Sequence, residues 1–248
     1  MGSSNPHCRL CHNVAPLRDS HVIPEFCFKP TYDSIHRAIE FSLSAESRRY
    51  IQKGFREPLF CDDCEQRFGK LDTYFSNEWF QKNKLPDRVE SDLIEITGLD
   101  YTTFKLFHHS ILFRASVSTL EQFKFVKLGK NEEILRQMLL TGDASDENQF
   151  PFITQFLFHP DDRRVASDII VEPELSRPNG HYVYIFVYAG CCWMYYASKT
   201  DSTRLIQHVF SSAGTLYLVP QSIYQIPRIA TFAKNYRSTT IQDAQGAK

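Results

Sequence analysis

Apolar residues recur at helical spacing in two stretches of the chain and crowd into β-forming runs in a third. After Cys64, Phe68, Leu71, Phe75 and Trp79 fall three to four apart and predict a helix, although Gly69 inside it costs ~1 kcal/mol relative to alanine. Residues 87–146 read as helical. Asp100 stands where an N-cap belongs, before a face of Phe104, Phe107, Ile111 and Ala115. Asn131 is the candidate cap of a second helix, with Glu132 and Glu133 in its first turn and Gly142 as its stop. Residues 150–220 read as β-rich. The runs 181–188 and 191–197 flank Ala189-Gly190 and predict a hairpin, although that pair is not the most favoured turn. Residues 166–171 and 215–219 are further strand candidates. Residues 223–236 predict a closing helix with Pro227 in its first turn, and the polar end after Ser238 predicts a frayed tail.

These textures give an α+β class with two expected domains, residues 6–83 and 84–248. No repeat and no low-complexity segment interrupts them. The 248 residues, with 20 Phe and 12 Tyr, are ample to bury a core. The net charge of −1 excludes a globally basic nucleic-acid binder, so any contact with nucleic acid must come from a local patch. No apolar run is long enough to span a membrane.

The cysteines change the picture most. There are seven, an odd number, and no secretory signal precedes them, which predicts a reducing compartment, the cytoplasm. Four form two C-x-x-C pairs, Cys8/Cys11 and Cys61/Cys64. Each such knuckle turns two thiolates toward one point, so together they offer a structural Zn²⁺ its tetrahedron, one ion per chain. The 49 residues between the pairs are a small obstacle, because loop-closure entropy grows only logarithmically with length. His7 and His12 flank the first knuckle and are expected to be bystanders. Cys27, Cys191 and Cys192 read as small buried residues.

Between the knuckles stands Asp19-Ser20-His21-Val22-Ile23-Pro24, an imidazole followed by two β-branched residues and a strand-ending proline. With Cys8-x-x-Cys11 before it and Cys61-Asp62-Asp63-Cys64-Glu65 after it, the segment resembles the HNH nucleases of the ββα-metal (His-Me finger) group. The likeness is to the subgroup braced by two zinc knuckles, and it covers roughly residues 8–80. It is similar too to uncharacterised bacterial HNH-like proteins with "SHxIP" and "CxxCE" variants. The resemblance implies an N-terminal zinc-braced ββα-metal finger, followed by the helical middle and a C-terminal antiparallel β-rich region. It implies a metal-dependent endonuclease acting on DNA, or on RNA, with phage defence as its setting. His21 would be the general base that takes a proton from the attacking water. A catalytic Mg²⁺ or Mn²⁺ would stabilise charge on the phosphate and the leaving oxygen.

The sequence departs from that family at three places. Ser20 stands where the family has an Asp or His ligand, and Glu65 where it has a metal-binding His. Arg56 and Glu57 occupy the stretch that holds its middle Asn. Glu65 is the leading candidate for a cation ligand, with Asp19 and Asp72 as further carboxylates; Asp72 lies two helical turns beyond Glu65. Arg48, Arg49, Lys53 and Arg56 form a candidate phosphate-binding cluster. His108 and His109 sit side by side in the middle helix, one of them expected to face solvent. The aromatic hairpin is expected to be core, with a base-stacking surface as the alternative.

Two functions therefore stand open: the nuclease, and a catalytically degenerate zinc module that binds nucleic acid or a protein. A protein partner through the C-terminal region fits either. Pairing of two chains is implied by the resemblance alone, since no heptad or symmetric patch marks it.

Overall fold

The computed structural model describes residues 6–35, 38–40, 49–51, 53–82, 85–199, 208–226 and 229–230; at 38–40 and 49–51 it describes the backbone. Strand β1 (Arg18–His21) leads through Pro24 into the short helix α1 (Glu25–Phe28). A small hairpin of β2 (Ala38–Glu40) and β3 (Arg49–Ile51) follows. Strand β4 (Arg56–Phe60) then returns antiparallel onto β1, pairing His21 with Arg56 and Ser20 with Glu57. Helix α2 (Asp62–Ser76) starts at once, its first turn carrying Asp62, Asp63 and Glu65, the charges that suit a helix N-terminus. Residues 18–76 thus contain two paired strands and a helix in ββα order, with β2 and β3 inserted.

Phe68 and Phe75 of α2 are buried as their spacing predicts. The helix runs on as a wider turn through Asn77–Gln81, which buries Trp79 and lets its Nε1–H donate to the Ala189 carbonyl at 3.0 Å. After β5 (Ile94–Ile96) comes α3 (Tyr101–Val117), capped as expected by Asp100, whose carboxylate accepts from the Thr103 amide at 2.8 Å. The expected single apolar face is wrong: every residue from Phe104 to Ser116 is buried, so α3 is a central helix.

Helix α4 (Lys130–Thr141) ends at Gly142, whose φ of 75° is the left-handed stop its sequence predicts. Asn131 is not its cap. The chain enters the helix through Gly129, and the Asn131 amide instead donates to the Ala197 carbonyl at 2.7 Å.

The remaining strands are β6 (Phe152–Phe158), β7 (Val171–Ser176), β8 (Val183–Tyr188), β9 (Cys191–Tyr196) and β10 (Leu216–Ser222). They join β5 in one sheet of order β5-β10-β6-β9-β8-β7. The sheet is mixed, because β10 runs parallel to β6, and it borrows β5 from the region read as helical. The predicted β8–β9 hairpin is present, its turn residues Ala189 and Gly190 both at positive φ (54° and 76°) as a two-residue loop requires. Of the candidate 166–171, only Val171 lies in a strand. At the far end Ile223–Gln225 forms a 3₁₀ turn capped by Ser222, and Ile229 and Ala230 are helical; Pro227 and 231–236 lie outside the described residues.

One continuous apolar core runs from Cys8 and Leu10 to Leu216 and Leu218, so residues on both sides of position 83 share it. Phe75 stacks on Phe107 at 4.0 Å between ring centres, and Trp79 lies 5.4 Å from Trp193. The hairpin aromatics Tyr184, Tyr188, Trp193 and Tyr195 are core, and Cys27, Cys191 and Cys192 are buried as expected.

Neither His108 nor His109 faces solvent; both are fully buried. The His108 Nδ1 lies 2.8 Å and 2.9 Å from the Tyr188 and Tyr195 hydroxyls, and the His109 Nε2–H donates to the Phe150 carbonyl at 3.0 Å. Burial drives both rings toward the neutral form, His109 down to about 3 with the nearby Lys105 charge adding to the effect. Unfolded, both protonate near pH ~6.5. The unfolded state therefore binds the extra protons, and stability is complete above that pH and falls as pH drops toward 3. The expected loss approaches ~1.4 kcal/mol per pH unit per histidine, read as urea midpoints at pH ~7 and ~5. A His109→Gln variant should flatten the slope. Parallel slopes in the two proteins would contradict the neutral burial of His109.

Candidate metal centre and adjacent histidine site

The first knuckle is a tight turn. The Cys8 N–H donates to the Asn13 carbonyl and the His12 N–H to the Cys8 carbonyl, both at 2.9 Å, with His12 at a positive φ of 62°. The Arg9 N–H donates to the Leu59 carbonyl at 3.0 Å, stitching this knuckle onto β4. The second knuckle is the start of α2: Cys61 occupies the cap position, and Glu65 N–H donates to its carbonyl at 3.0 Å.

The four thiols converge, all their sulfurs lying within 4.8 Å of one another, Cys11 and Cys61 at 3.7 Å. A tetrahedron with Zn–S bonds of ~2.3 Å sets sulfurs about 3.8 Å apart, so the donor set fits a metal ion such as zinc. Burial raises the Cys8 thiol, but backbone N–H groups of Cys11, Cys61 and Leu10 outweigh it and draw it down to about 7. Burial and the neighbouring thiols push Cys64 up. His7 and His12 bond to each other's segment, Nδ1 of His7 lying 3.1 Å from the His12 carbonyl, and neither joins the group. From α4, the Arg136 Nη1 donates to the Leu10 carbonyl at 2.5 Å while the same guanidinium grips Glu133.

Alternation along β1 sends Ser20 and His21 to opposite sides. Ser20 is buried, and its hydroxyl donates to the Glu65 carboxylate across the strand–helix interface. His21 is partly exposed. Its Nε2 lies 2.9 Å from Glu25 Oε2, and the other oxygen of that carboxylate accepts from the Tyr32 hydroxyl at 2.6 Å. The backbone carbonyl of His21 accepts from Arg114 of α3 at 3.4 Å.

The other acids that the sequence offers as cation ligands are held by arginines. Asp19 pairs with Arg56 at 3.1 Å, and Asp72 with Arg114 at 2.9 Å. The Asp72 carboxyl is pushed up by burial, against the Arg114 charge that pulls it down. Glu57 turns to Ser118 and Thr119, accepting from the Ser118 hydroxyl at 2.8 Å and the Thr119 amide at 2.9 Å. Among the described residues, the four cysteines are the one group of three or more His, Cys, Asp or Glu placed to hold a metal. Of the basic cluster, Lys53 is exposed, Arg56 is engaged by Asp19, Arg49 lies in β3, and Arg48 is outside the described residues.

No family model, curated protein or solved structure matches the chain. Its chemistry must be read from the residues themselves.

Sequence reasoning missed Glu25, Tyr32 and Arg114. Glu25 stands four residues after His21, just past Pro24, and that spacing was a usable signal. Arg114 lies 93 residues from His21 and carried none. Among the described residues no helix is long and apolar enough to cross a membrane.

Proposed function

We propose that the four cysteines hold a structural Zn²⁺ and that the braced finger is an HNH-like, metal-dependent hydrolase of phosphodiester bonds in DNA or RNA. One observation carries the reading: β1 and α2 bring Ser20 against Glu65 while the next residue, His21, presents a partly exposed imidazole bonded to a carboxylate. In that role His21 takes the proton of the attacking water. Glu65 offers one carboxylate oxygen to a divalent ion. Mg²⁺ commonly binds through one or two carboxylates together with substrate phosphate and waters, so Glu65 suffices once a phosphodiester is bound. Such an ion supplies charge stabilisation on the phosphate and the leaving oxygen. Lys53, exposed at the surface, offers a cation to a phosphate.

A second reading has its own support. The Ser20 hydroxyl occupies the Glu65 carboxylate directly, and Asp19 and Asp72 are held in ion pairs. A finger so arranged can bind nucleic acid or a protein without cutting.

Plasmid and RNA incubated with the protein and Mg²⁺ or Mn²⁺, beside His21→Ala and Glu65→Gln, separate the two. The nuclease reading predicts cleavage by the parent, a fall of roughly 10²–10⁴-fold for His21→Ala, and a raised metal requirement for Glu65→Gln. Cleavage that persists undiminished in His21→Ala contradicts the base assignment. Binding without cleavage under either metal selects the second reading.

A further inference from the structure

The segment after β1 is built to return a carboxylate to the imidazole. Val22 and Ile23 are buried, and the Val22 N–H donates to the Phe55 carbonyl at 3.0 Å, so the chain leaving His21 is anchored. Pro24 is extended (ψ 143°) and starts α1, whose Cys27 and Phe28 are buried in turn. This leaves Glu25 at the first position of the helix, on the same side as His21, their side chains 32% and 23% exposed. The turn Lys29–Thr31 then brings Tyr32 back to the far side of Glu25.

We propose that Glu25 is the positioning residue of this site: it fixes His21 as the Nε2–H tautomer, so that Nδ1 carries the free lone pair, and Tyr32 anchors Glu25. The tautomer follows from donor and acceptor counting. An ionised carboxylate only accepts, so the Nε2 at 2.9 Å must carry the hydrogen, and the hydroxyl at 2.6 Å must donate to the other oxygen. A neutral imidazole has one N–H, which leaves Nδ1 bare. Burial, with the Glu25 carboxylate behind it, keeps the Tyr32 hydroxyl protonated and therefore a donor. A third group that orients the base is a recurring device in proton transfer, because it removes the unproductive tautomer from the population. The catalytic consequence, with Nδ1 as the proton acceptor, rests on the nuclease reading; the tautomer does not.

Long-range ¹H–¹⁵N correlation of the histidine rings, recorded on the full zinc-loaded chain at about pH 8, where free imidazole is neutral, decides the tautomer without any activity. The expected spectrum shows His21 with a bare Nδ1 and a protonated Nε2. Glu25→Ala should give an averaged mixture of both tautomers, and Tyr32→Phe, which releases one Glu25 oxygen, should move the population the same way by less. An Nδ1–H ring in the parent, or a Glu25→Ala spectrum that matches it, overturns the proposal. Both side chains are partly exposed, and circular dichroism of Glu25→Ala matching that of the parent excludes a folding artefact. Where the parent cuts, Glu25→Ala should lower kcat by roughly 10–100-fold with KM little changed. A Glu25→Ala enzyme with the parent's kcat also overturns it. A parent that cuts nothing defeats the nuclease reading and leaves the tautomer to the spectrum.

Discussion

Stripping the proposed zinc with a strong chelator is expected to unfold the finger that the four cysteines close and to loosen the central core with it. Structural zinc contributes on the order of 10–16 kcal/mol of binding free energy in zinc-finger peptides, as much as or more than the ~5–15 kcal/mol net stability of a domain. The finger's other ties among the described residues are core packing and a few long-range hydrogen bonds, from Arg136 to the Leu10 carbonyl and from Ser118 and Thr119 to Glu57 among them. Its first knuckle is tied to β4 by the Arg9–Leu59 hydrogen bond, and its β1–β4 sheet has two strands, too few to stand alone in water. The loss should propagate, because Phe75 and Trp79 at the end of α2 are packed on Phe107 and Trp193. Trp79 would leave its apolar surroundings, so tryptophan emission should shift to the red in step with the loss of helical circular dichroism. Cys61→Ser should behave like the chelated parent. A metal-free protein with unchanged emission and dichroism would remove the structural role of the ion.

The second large effect is expected at Arg114. Its guanidinium is 3% exposed and does three things at once. It pairs with Asp72 at 2.9 Å, donates to the His21 carbonyl at 3.4 Å and lies 4.6 Å from the Phe68 ring centre. It links α3 to the finger through both polar contacts. Arg114→Ala strands the Asp72 carboxylate in a low-dielectric setting and removes the packing of the guanidinium on Phe68. Breaking a buried pair from one side costs about 3–5 kcal/mol, and urea unfolding should read a loss of that size. Arg114→Met combined with Asp72→Leu removes both charges and should recover most of it. A loss below ~1 kcal/mol for the single variant would mean that the pair contributes no more than an exposed one.

The parts of the fold that were legible in the sequence are those whose signals are local. Asp100 caps α3 because its side chain reaches an amide three residues on, and Gly142 stops α4 because it alone adopts the left-handed turn cheaply. The two cysteine pairs were legible because a knuckle is a property of four consecutive residues. What escaped was set by distant partners. The polar residues of α3 point at the Tyr188–Tyr195 hydroxyls, the Phe150 carbonyl and Asp72, so a helix with Lys, His, Ser and Arg on it is nevertheless buried on every side. Asn131 has the chemistry of a cap, but Ala197 claims its amide. Strand β6 carries apolar residues on both faces and buries Thr154, so it lacks the polar alternation that marks a half-exposed strand. Its parallel pairing with β10 joins residues more than 60 positions apart, Thr154 with Leu218, which no local pattern records.

The candidate site divides in the same way. His21 stood out for its neighbours, and Ser20 and Glu65 for their places in the ββα pattern. That Ser20 and Glu65 touch, and that Asp19 and Asp72 are held by Arg56 and Arg114, depended on how β1, β4, α2 and α3 pack. The carboxylate beside His21 was within sequence reach at Glu25, since the intervening Pro24 turns the chain back on itself.

Zinc-edge X-ray absorption on the purified 248-residue chain examines the proposed brace of the finger. The account predicts one zinc per chain with four sulfur neighbours at ~2.3 Å and no nitrogen or oxygen in the shell. A folded protein without zinc, or a shell in which imidazole or carboxylate replaces a thiolate, would contradict it.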